Sequence, residues 1–177
     1  QRMNGFLLDP LCPRTPDGHL FQPGELLAGR FRILREVAQG GMGIVYEALD
    51  ERLDRRVALK CAKAGFTKRL SPEVRNASDI SHPNVCKIFE IHTASTAHGD
   101  FDFLTMEYLD GNTLVEFLDA GPLPPGQAEV IARQLCAGLA EAHRQQVTHG
   151  DLKTSNIIVT RSAEGAIRAV ISDFGLA

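Results

Sequence analysis

Three polar residues in one short segment have the types and spacing needed to act on a phosphate group. Asp151, Lys153 and Asn156 lie in the stretch VTHGDLKTSN, residues 147–156. Asp151 could accept the proton of a hydroxyl group, and Lys153 could lie against a phosphoryl group during its transfer. The amide oxygen of Asn156 could bind a metal ion. A polar turn after a helix is the alternative, but one chemical role accounts for all three residue types.

A fourth residue, Asp173, could complete a metal site with Asn156. It begins the sequence Asp-Phe-Gly directly after a predicted strand. Carboxylate and amide oxygens are the hard ligands that Mg²⁺ prefers. The alternative is an Asx turn, in which the side chain bonds only to its own backbone.

A lysine on an earlier strand could meet the phosphates of a nucleotide. Alternation along the strand puts Ala58 and Lys60 on the same face, so that a flat base fits beside the methyl group and phosphates meet the ammonium group. Glu73, early in a predicted helix, would be the partner that holds Lys60. A solvated strand lysine and an ordinary first-turn glutamate, favoured by the helix dipole, are the alternatives.

A glycine-rich turn between two predicted strands could cover phosphate groups. It has the sequence Gly40-Gly41-Met42-Gly43. Glycine lets backbone N–H groups approach phosphate oxygens without an intervening side chain. A plain glycine hairpin is the alternative, and the sequence G-x-x-x-x-G-K-[ST] of P-loop proteins is absent.

The elements that must position these residues follow from hydrophobic periodicity. Alternating patterns and turn residues predict antiparallel strands in the first half of the chain, and a period near 3.6 predicts a long helix in the second half. The predicted strands are 31–38, 44–50, 55–62, 85–92, 101–109, 157–160 and 167–172. The predicted helices are 71–80 and 127–145. Five strands followed by a mainly helical part indicate an α+β fold with two lobes.

Composition and chain ends limit the classes of function. A formal net charge of −3 gives no broad basic surface for nucleic acid or an anionic membrane. No apolar run reaches the length of a membrane span, so we expect no membrane segment in this sequence. The spacing of the cysteines predicts reduced, mostly buried thiols rather than disulfides or a zinc site. The first residue is Gln and the last follows a loop signature, so we expect a fragment of a longer protein.

Taken in order, these segments resemble the signature series of the protein kinases. AQGGMGIV resembles the glycine-rich loop, VALK the strand lysine, HGDLKTSN the catalytic loop and DFG the magnesium loop. GGMGIVYEA and HPNVCKIFEI look most like bacterial serine/threonine kinases of the eukaryotic-like type. The resemblance implies a bilobal kinase fold, truncated after DFG, with a five-stranded antiparallel N-lobe at 30–108. It also implies part of a helical C-lobe at 109–177, after a linker or arm at 1–29.

The resemblance also implies ATP and Mg²⁺ as cofactors and transfer of the γ-phosphoryl group to Ser or Thr hydroxyls of a protein substrate. Asp151 would be the base, Lys153 would contact the γ-phosphate, and Lys60, paired with Glu73, would contact the α- and β-phosphates. Asn156 and Asp173 would bind magnesium. The nucleotide would be held by Val37, Gly40, Gly41, Met42, Gly43, Val45, Ala58, Lys60, Met106, Glu107, Leu109 and Ile158.

Within that set the resemblance gives finer roles. Val45 and Ala58 would lie above the adenine and Ile158 below it. Met106 would be the gatekeeper, and the hinge backbone at 107–109 would bond to the base. We expect a cytoplasmic location; a membrane anchor, sensor domain or repeat domain elsewhere in the parent stays open.

The sequence departs from the family pattern at three places. Ala38 replaces the first glycine of the loop, which costs little unless that position has a positive φ. Pro72 directly precedes Glu73, so we expect the first turns of the family's helix to be missing. Gly150 replaces an Arg that captures a phosphorylated activation loop in many kinases. That Arg does no chemistry on the substrate, so Gly150 indicates altered regulation rather than lost activity.

Two other functions remain open at this stage. H-G-D is common in small-molecule phosphotransferases of the aminoglycoside and choline kinase group, although these usually carry His where Lys153 stands. A pseudokinase or nucleotide-sensing module is the second alternative. Such proteins typically lose one of the residues that correspond to Lys60, Asp151 and Asp173, and all three are present.

Overall fold

The fold consists of a large antiparallel sheet followed by helices and a small sheet. A computed structural model describes residues 20–40, 43–62, 74, 76–96 and 99–174. In these residues the strands are β1 (Leu26–Leu27), β2 (Phe31–Gly40), β3 (Gly43–Asp50), β4 (Arg55–Ala62), β5 (Ile88–Thr96), β6 (Gly99–Glu107), β7 (Asn112–Thr113), β8 (Ile157–Arg161) and β9 (Ile167–Ile171). The helices with defined bounds are α1 (Leu114–Asp119) and α2 (Pro125–Arg144), with a 3₁₀ turn at Thr154–Asn156. Within the predicted helix 71–80, residues 74 and 76–78 are helical, and residues 71–73 and 75 lie outside the described residues.

The strand order follows the sequence in the first lobe except at its last two strands. The large sheet has the order β1-β2-β3-β4-β6-β5, and the small sheet has the order β7-β8-β9. Antiparallel neighbours joined by short turns account for the pairs from β2 to β4. The predicted α+β class and two-lobed architecture are confirmed, and the two-residue strand β1 extends the predicted five-stranded sheet.

Strand β4 contributes to two hydrophobic cores because its side chains alternate between the faces of the sheet. Val57 and Leu59 lie in a core cluster inside the first lobe. Ala58 lies in a second cluster that also contains residues of helix α2 and strand β9. Lys60 shares the face of Ala58, as the sequence predicts, and therefore points towards the junction of the lobes.

Part of the segment predicted to be an arm packs on the first lobe. Phe21 and Leu27 are buried in the core cluster of that lobe together with Tyr46. The Tyr46 hydroxyl accepts hydrogen bonds from the backbone N–H groups of Leu20 and Phe21, at 3.0 and 3.2 Å. These contacts and strand β1 attach residues 20–27 to the sheet.

Strand β5 begins three residues later than the sequence predicts. Residues 84–86 pair with β9 instead: Ile171 N–H donates to Asn84 O at 2.9 Å, and Cys86 N–H donates to Ile171 O at 2.8 Å. Val85 and Ile171 form a parallel bridge. The segment before β5 therefore belongs to the junction between the lobes rather than to the large sheet.

Helix α2 packs closely against this junction. A Cβ atom added at Gly138 would lie 3.0 Å from Asn84 O, so the small residues of the helix allow the close approach that the sequence predicts. Cys61 and Cys86 are buried, as predicted, whereas Cys136 on this helix is exposed. Within the described residues, no helix has the length and apolar character needed to cross a bilayer.

Candidate active site

Lys60 reaches a carboxylate that lies 113 residues further along the chain. Its side chain is buried, and its Nζ lies 2.7 Å from Oδ1 of Asp173. A buried ammonium group is unfavourable unless it is paired, so this contact stabilises both residues in the folded state. The structure thus brings together the strand lysine and the acidic residue of the Asp-Phe-Gly segment.

Asp173 has an unusual backbone conformation. Its φ is 64°, in the left-handed region that non-glycine residues adopt rarely. The flanking residues are held firmly: Ser172 bonds to two other loops, and Phe174 is buried against His149 with ring centroids 4.7 Å apart. Such a conformation persists where the surroundings determine it, as at many functional sites.

His149 organises the start of the loop that carries Asp151. Its Nε2 lies 2.8 Å from Ser172 O, and its Nδ1 lies 3.2 Å from the backbone nitrogen of Asp151. Because a carbonyl oxygen only accepts, Nε2 carries the proton, and Nδ1 can then accept from Asp151 N–H. The buried imidazole therefore connects the loop that carries Asp151 to the loop that carries Asp173.

Asp151 and Lys153 form a partly exposed ion pair. Lys153 Nζ lies 2.5 Å from Oδ2 of Asp151, and the carboxylate is partly exposed. The hydrogen bond from Lys153 is the main reason that the pKa of Asp151 is lowered from its usual value. The carboxylate is therefore ionised at neutral pH, which is the form that can accept a proton.

Asn156 is buried at the end of the 3₁₀ turn, and its side chain is oriented by the backbone of Asp151. Its Nδ2 donates to Asp151 O at 2.9 Å, which leaves the amide oxygen as the end of the side chain that could bind a cation. Its own carbonyl oxygen accepts from both the N–H and the hydroxyl of Ser172. Asn156 is thus held next to both Asp151 and the Asp173 loop.

The donor set of Asn156 and Asp173 fits magnesium. In the part of the chain that the structure describes, no group of three or more His, Cys, Asp or Glu residues could hold a metal ion alone. Magnesium is commonly bound by one or two protein oxygens together with substrate phosphates. An amide oxygen and a carboxylate on adjacent loops match that arrangement.

The glycine-rich turn closes the hairpin of β2 and β3. Gly40 pairs with Gly43, and Gly43 has a φ of 147°, a conformation that glycine adopts readily. Ala38 pairs with Val45 and does not have a positive φ. The replacement of the first loop glycine by Ala38 therefore adds no backbone strain. Gly41 and Met42 lie outside the described residues.

Several residues predicted to surround the base meet at the junction of the lobes. Ala58 pairs with Met106 across β4 and β6, and both are buried in the cluster against which Val45 and Leu109 pack. Glu107 N–H donates to Lys87 O at 2.8 Å. These contacts fix the start of the hinge, the connection between the two lobes.

Two predicted nucleotide contacts are not members of that cluster, and one predicted partner lies outside the described residues. Val37 is 44% exposed on β2, and Ile158 is half-buried on β8 opposite Val170. Glu73 lies outside the described residues, so its predicted pairing with Lys60 stays a prediction. The ammonium group of Lys60 is bonded to Asp173 in this structure.

Sequence reasoning did not identify three residues that hold the site together. Ser172 bonds to both loops of the site, and Asn84 and Gln134 hold the strand that leads to Asp173. Their roles depend on tertiary contacts, for which the sequence carries no local signal.

The comparisons with known proteins agree with this geometry. A family profile described as "Protein kinase domain" matches residues 31–177. The chain is 39% identical over 158 residues to serine/threonine-protein kinase pkn2 of Myxococcus xanthus, covering 86% of this chain and 18% of that protein. It is 37% identical over 161 residues to serine/threonine-protein kinase PrkC of Bacillus subtilis, covering 87% of this chain and 24% of that protein.

A solved structure supports the fold independently. The crystal structure of the Mycobacterium tuberculosis PknI kinase domain matches with a TM-score of 0.74 and 23% sequence identity, covering 89% of this chain and 64% of that one. At this identity the likeness concerns the fold alone. The chain spans about a fifth to a quarter of the length of the two curated relatives described above.

Proposed function

Because this chain belongs to the protein kinase domain family, we propose that the full-length protein transfers the γ-phosphoryl group of ATP to serine or threonine hydroxyls of proteins. The 2.7 Å contact between Lys60 and Asp173 carries the proposal. It joins two residues from distant parts of the sequence at the junction of the lobes. The names of the relatives as serine/threonine kinases support this substrate class.

We assign the steps of the reaction to the chain's own residues. Asp151 takes the proton of the attacking hydroxyl, and its ionised state supports this role. Lys153 lies beside Asp151 and stabilises negative charge on the phosphoryl group during transfer. Lys60 orients the α- and β-phosphates. Asn156 and Asp173 would hold a magnesium ion, which would neutralise charge on the phosphates when bound.

The nucleotide base takes a position between the lobes in this proposal. Ala58, Met106, Val45 and Leu109 form an apolar wall there, and Val37 and Ile158 complete it from the two sides. The backbone of Glu107 and Leu109 bonds to the edge of the base. The glycine-rich turn at residues 40–43 covers the phosphates. Since ATP is the phosphoryl donor, this part of the protein acts in the cytoplasm.

Gly150 concerns regulation in this proposal. Glycine offers no side chain that could bind a phosphate, so turnover does not depend on a phosphorylated activation loop held at this position.

An assay of the full-length protein tests this function. With Mg²⁺, ATP and a generic protein substrate, we expect phosphorylation of Ser and Thr, and we expect Asp151→Asn to lower kcat by about 10²- to 10⁴-fold. Thermal stabilisation by Mg²⁺ and ATP should persist in the variant, because residue 151 does not hold the nucleotide. Phosphatase treatment of the unsubstituted protein should leave turnover unchanged, because Gly150 has no side chain that could bind a phosphorylated activation loop.

Other outcomes would identify the other function classes. Stabilisation by ATP without turnover would indicate a nucleotide-binding module. Turnover on an amino sugar or choline, but not on protein, would indicate a small-molecule phosphotransferase. Unchanged kcat in Asp151→Asn would remove Asp151 from the role of base.

A further inference from the structure

Ser172 is the residue at which three segments of the site meet. Its N–H donates to Asn156 O at 2.9 Å, and its carbonyl oxygen accepts from His149 Nε2 at 2.8 Å. Both of these bonds use the backbone, which any residue provides. A third bond uses the side chain: Ser172 Oγ donates to the same Asn156 O at 3.1 Å. A carbonyl oxygen has two lone pairs, so it can accept both bonds.

The side-chain bond links the two residues that we assign to magnesium. Asn156 precedes strand β8 and Asp173 follows strand β9, so the whole β8–β9 hairpin separates them in sequence. Magnesium requires near-ideal octahedral geometry with oxygen distances of about 2.0–2.1 Å. The two ligand-bearing loops must therefore keep a fixed spacing, and Ser172 is covalently attached to Asp173 and hydrogen-bonded to Asn156.

The backbone of Asp173 makes this spacing easy to disturb. A non-glycine residue with φ of 64° is strained and relaxes when its neighbours allow it. On one side, Phe174 is buried. On the other side, the hydrogen bonds of Ser172 fix the position of the backbone that leads into Asp173. Loss of the hydroxyl group removes one of the three hydrogen bonds that hold Ser172 in place.

We propose that the Ser172 hydroxyl is a positioning group that sets the distance between Asn156 and Asp173 for a bound divalent cation. The inference rests on the proposed function, since the cation in question is the one that accompanies ATP. Ser172 is a positioning residue and touches no reacting atom. Its effect is therefore on the concentration of Mg²⁺ that the protein needs, and not on the recognition of the protein substrate.

The test compares Ser172→Ala, Ser172→Thr and a control, Ser95→Ala, in the full-length protein. Ser95 is exposed on the edge strand β5, away from the site. Two quantities are titrated: the Mg²⁺ concentration for half-maximal turnover, and the Mg²⁺ concentration for half-maximal thermal stabilisation by ADP. The second readout needs no turnover.

We expect Ser172→Ala to raise both Mg²⁺ midpoints by about 2- to 10-fold, the range that one neutral hydrogen bond corresponds to. The KM for the protein substrate should not change. Ser172→Thr retains a hydroxyl group and should restore the midpoints towards those of the unsubstituted protein, and Ser95→Ala should not alter them.

Three results would count against these conclusions. Unchanged Mg²⁺ midpoints in Ser172→Ala, with normal turnover by the unsubstituted protein, would overturn this inference alone. A lower unfolding temperature without nucleotide, with no rescue by Ser172→Thr, would reduce the residue to a purely structural role and also overturn it. Absence of any Mg²⁺-dependent nucleotide binding in the unsubstituted protein would overturn the proposed function as well.

Discussion

Gly150 has a φ of 83°, in the region that side chains with a Cβ atom avoid. An arginine here, as in many kinases, would carry that strain, so the glycine both removes a phosphate-binding side chain and relieves the backbone. We predict that Gly150→Ala lowers the free energy of unfolding by roughly 1–2 kcal/mol. Thermal or urea unfolding of the protein measures this change.

A second glycine provides a control, because its substitution by alanine should raise rather than lower the free energy of unfolding. Gly126 lies near the start of helix α2, where an added Cβ atom would meet nothing within 4 Å. Gly126→Ala should therefore stabilise the protein by roughly 0.4–1 kcal/mol, because alanine has less conformational freedom to lose on folding. Equal stability of Gly150→Ala and the unsubstituted protein would show that this turn relaxes without cost.

Strand β9 pairs with β8 along one edge and with Val85 only at Ile171 along the other, and side chains bond to that second edge at Ile167 and Ala169. Gln134 Oε1 accepts from Ala169 N–H at 2.6 Å, and Gln134 Nε2 donates to Ile167 O at 2.9 Å. Asn84 Nδ2 donates to Ala169 O at 2.8 Å. Ala169 is fully buried. We therefore predict that Gln134→Leu lowers the free energy of unfolding by about 1–3 kcal/mol, because the N–H group of Ala169 loses its partner.

Hydrogen exchange at the Ala169 amide measures how firmly strand β9 is held, and thermal unfolding measures the change in stability. The exchange rate should increase in Gln134→Leu. Arg133→Ala is the matched control on the same helix, since Arg133 forms an exposed ion pair with Glu129 and such pairs contribute about 0.3–0.5 kcal/mol. Equal effects of the two substitutions would mean that Gln134 does not hold the strand.

Elements with strong local patterns were predictable from the sequence, and those set by tertiary contacts were not. Strands β2 to β4 and helix α2 were predicted to within a few residues. Helix α1 was missed, although Thr113 and Glu116 form a capping box that the sequence displays. The late start of β5 depends on pairing with β9, which no local pattern encodes.

Some residues of the candidate site could also be predicted from the sequence, and others could not. The residue types at positions 60, 151, 156 and 173 could be singled out because chemistry restricts them, and the structure brings Lys60 and Asp173 into contact. The hydroxyl of Ser172 could not be singled out. A serine beside a functional residue is common, and its role depends on a carbonyl from another loop.

At the scale of the whole molecule, stability depends on pH through two titratable groups of the first lobe, the half-buried His92 and the buried Asp50. His92 stacks on Phe103 with ring centroids 5.0 Å apart. Burial is the main reason that its pKa is lowered, although Glu90 acts in the opposite direction. The carboxylate of Asp50 is bonded to Arg30, and this hydrogen bond is the main reason that its pKa is lowered.

Both groups make the protein less stable in acid, in separate pH ranges. The folded state resists protonation of His92, so the unfolded state binds more protons as the pH falls below about 6.5, and stability decreases. Asp50 is ionised in the folded state and contributes stability above its usual pKa of 3.8. That contribution is lost as the pH falls below 3.8, through the lower pKa of the folded state. We predict a first loss of stability between about pH 7 and 5 that belongs to His92.

Unfolding temperatures of the protein and of His92→Gln at pH 7.5 and 5.5 separate this contribution from the others. Glutamine cannot be protonated but can still bond to Thr105, whose hydroxyl lies 3.3 Å from His92 Nε2. The decrease between the two pH values should be smaller in the variant, because the carboxylates remain ionised across this range. An equal decrease in both proteins, or an NMR titration that gives His92 a pKa at or above 6.5, would contradict the assignment. The acid sensitivity would then have to come from other groups of the molecule.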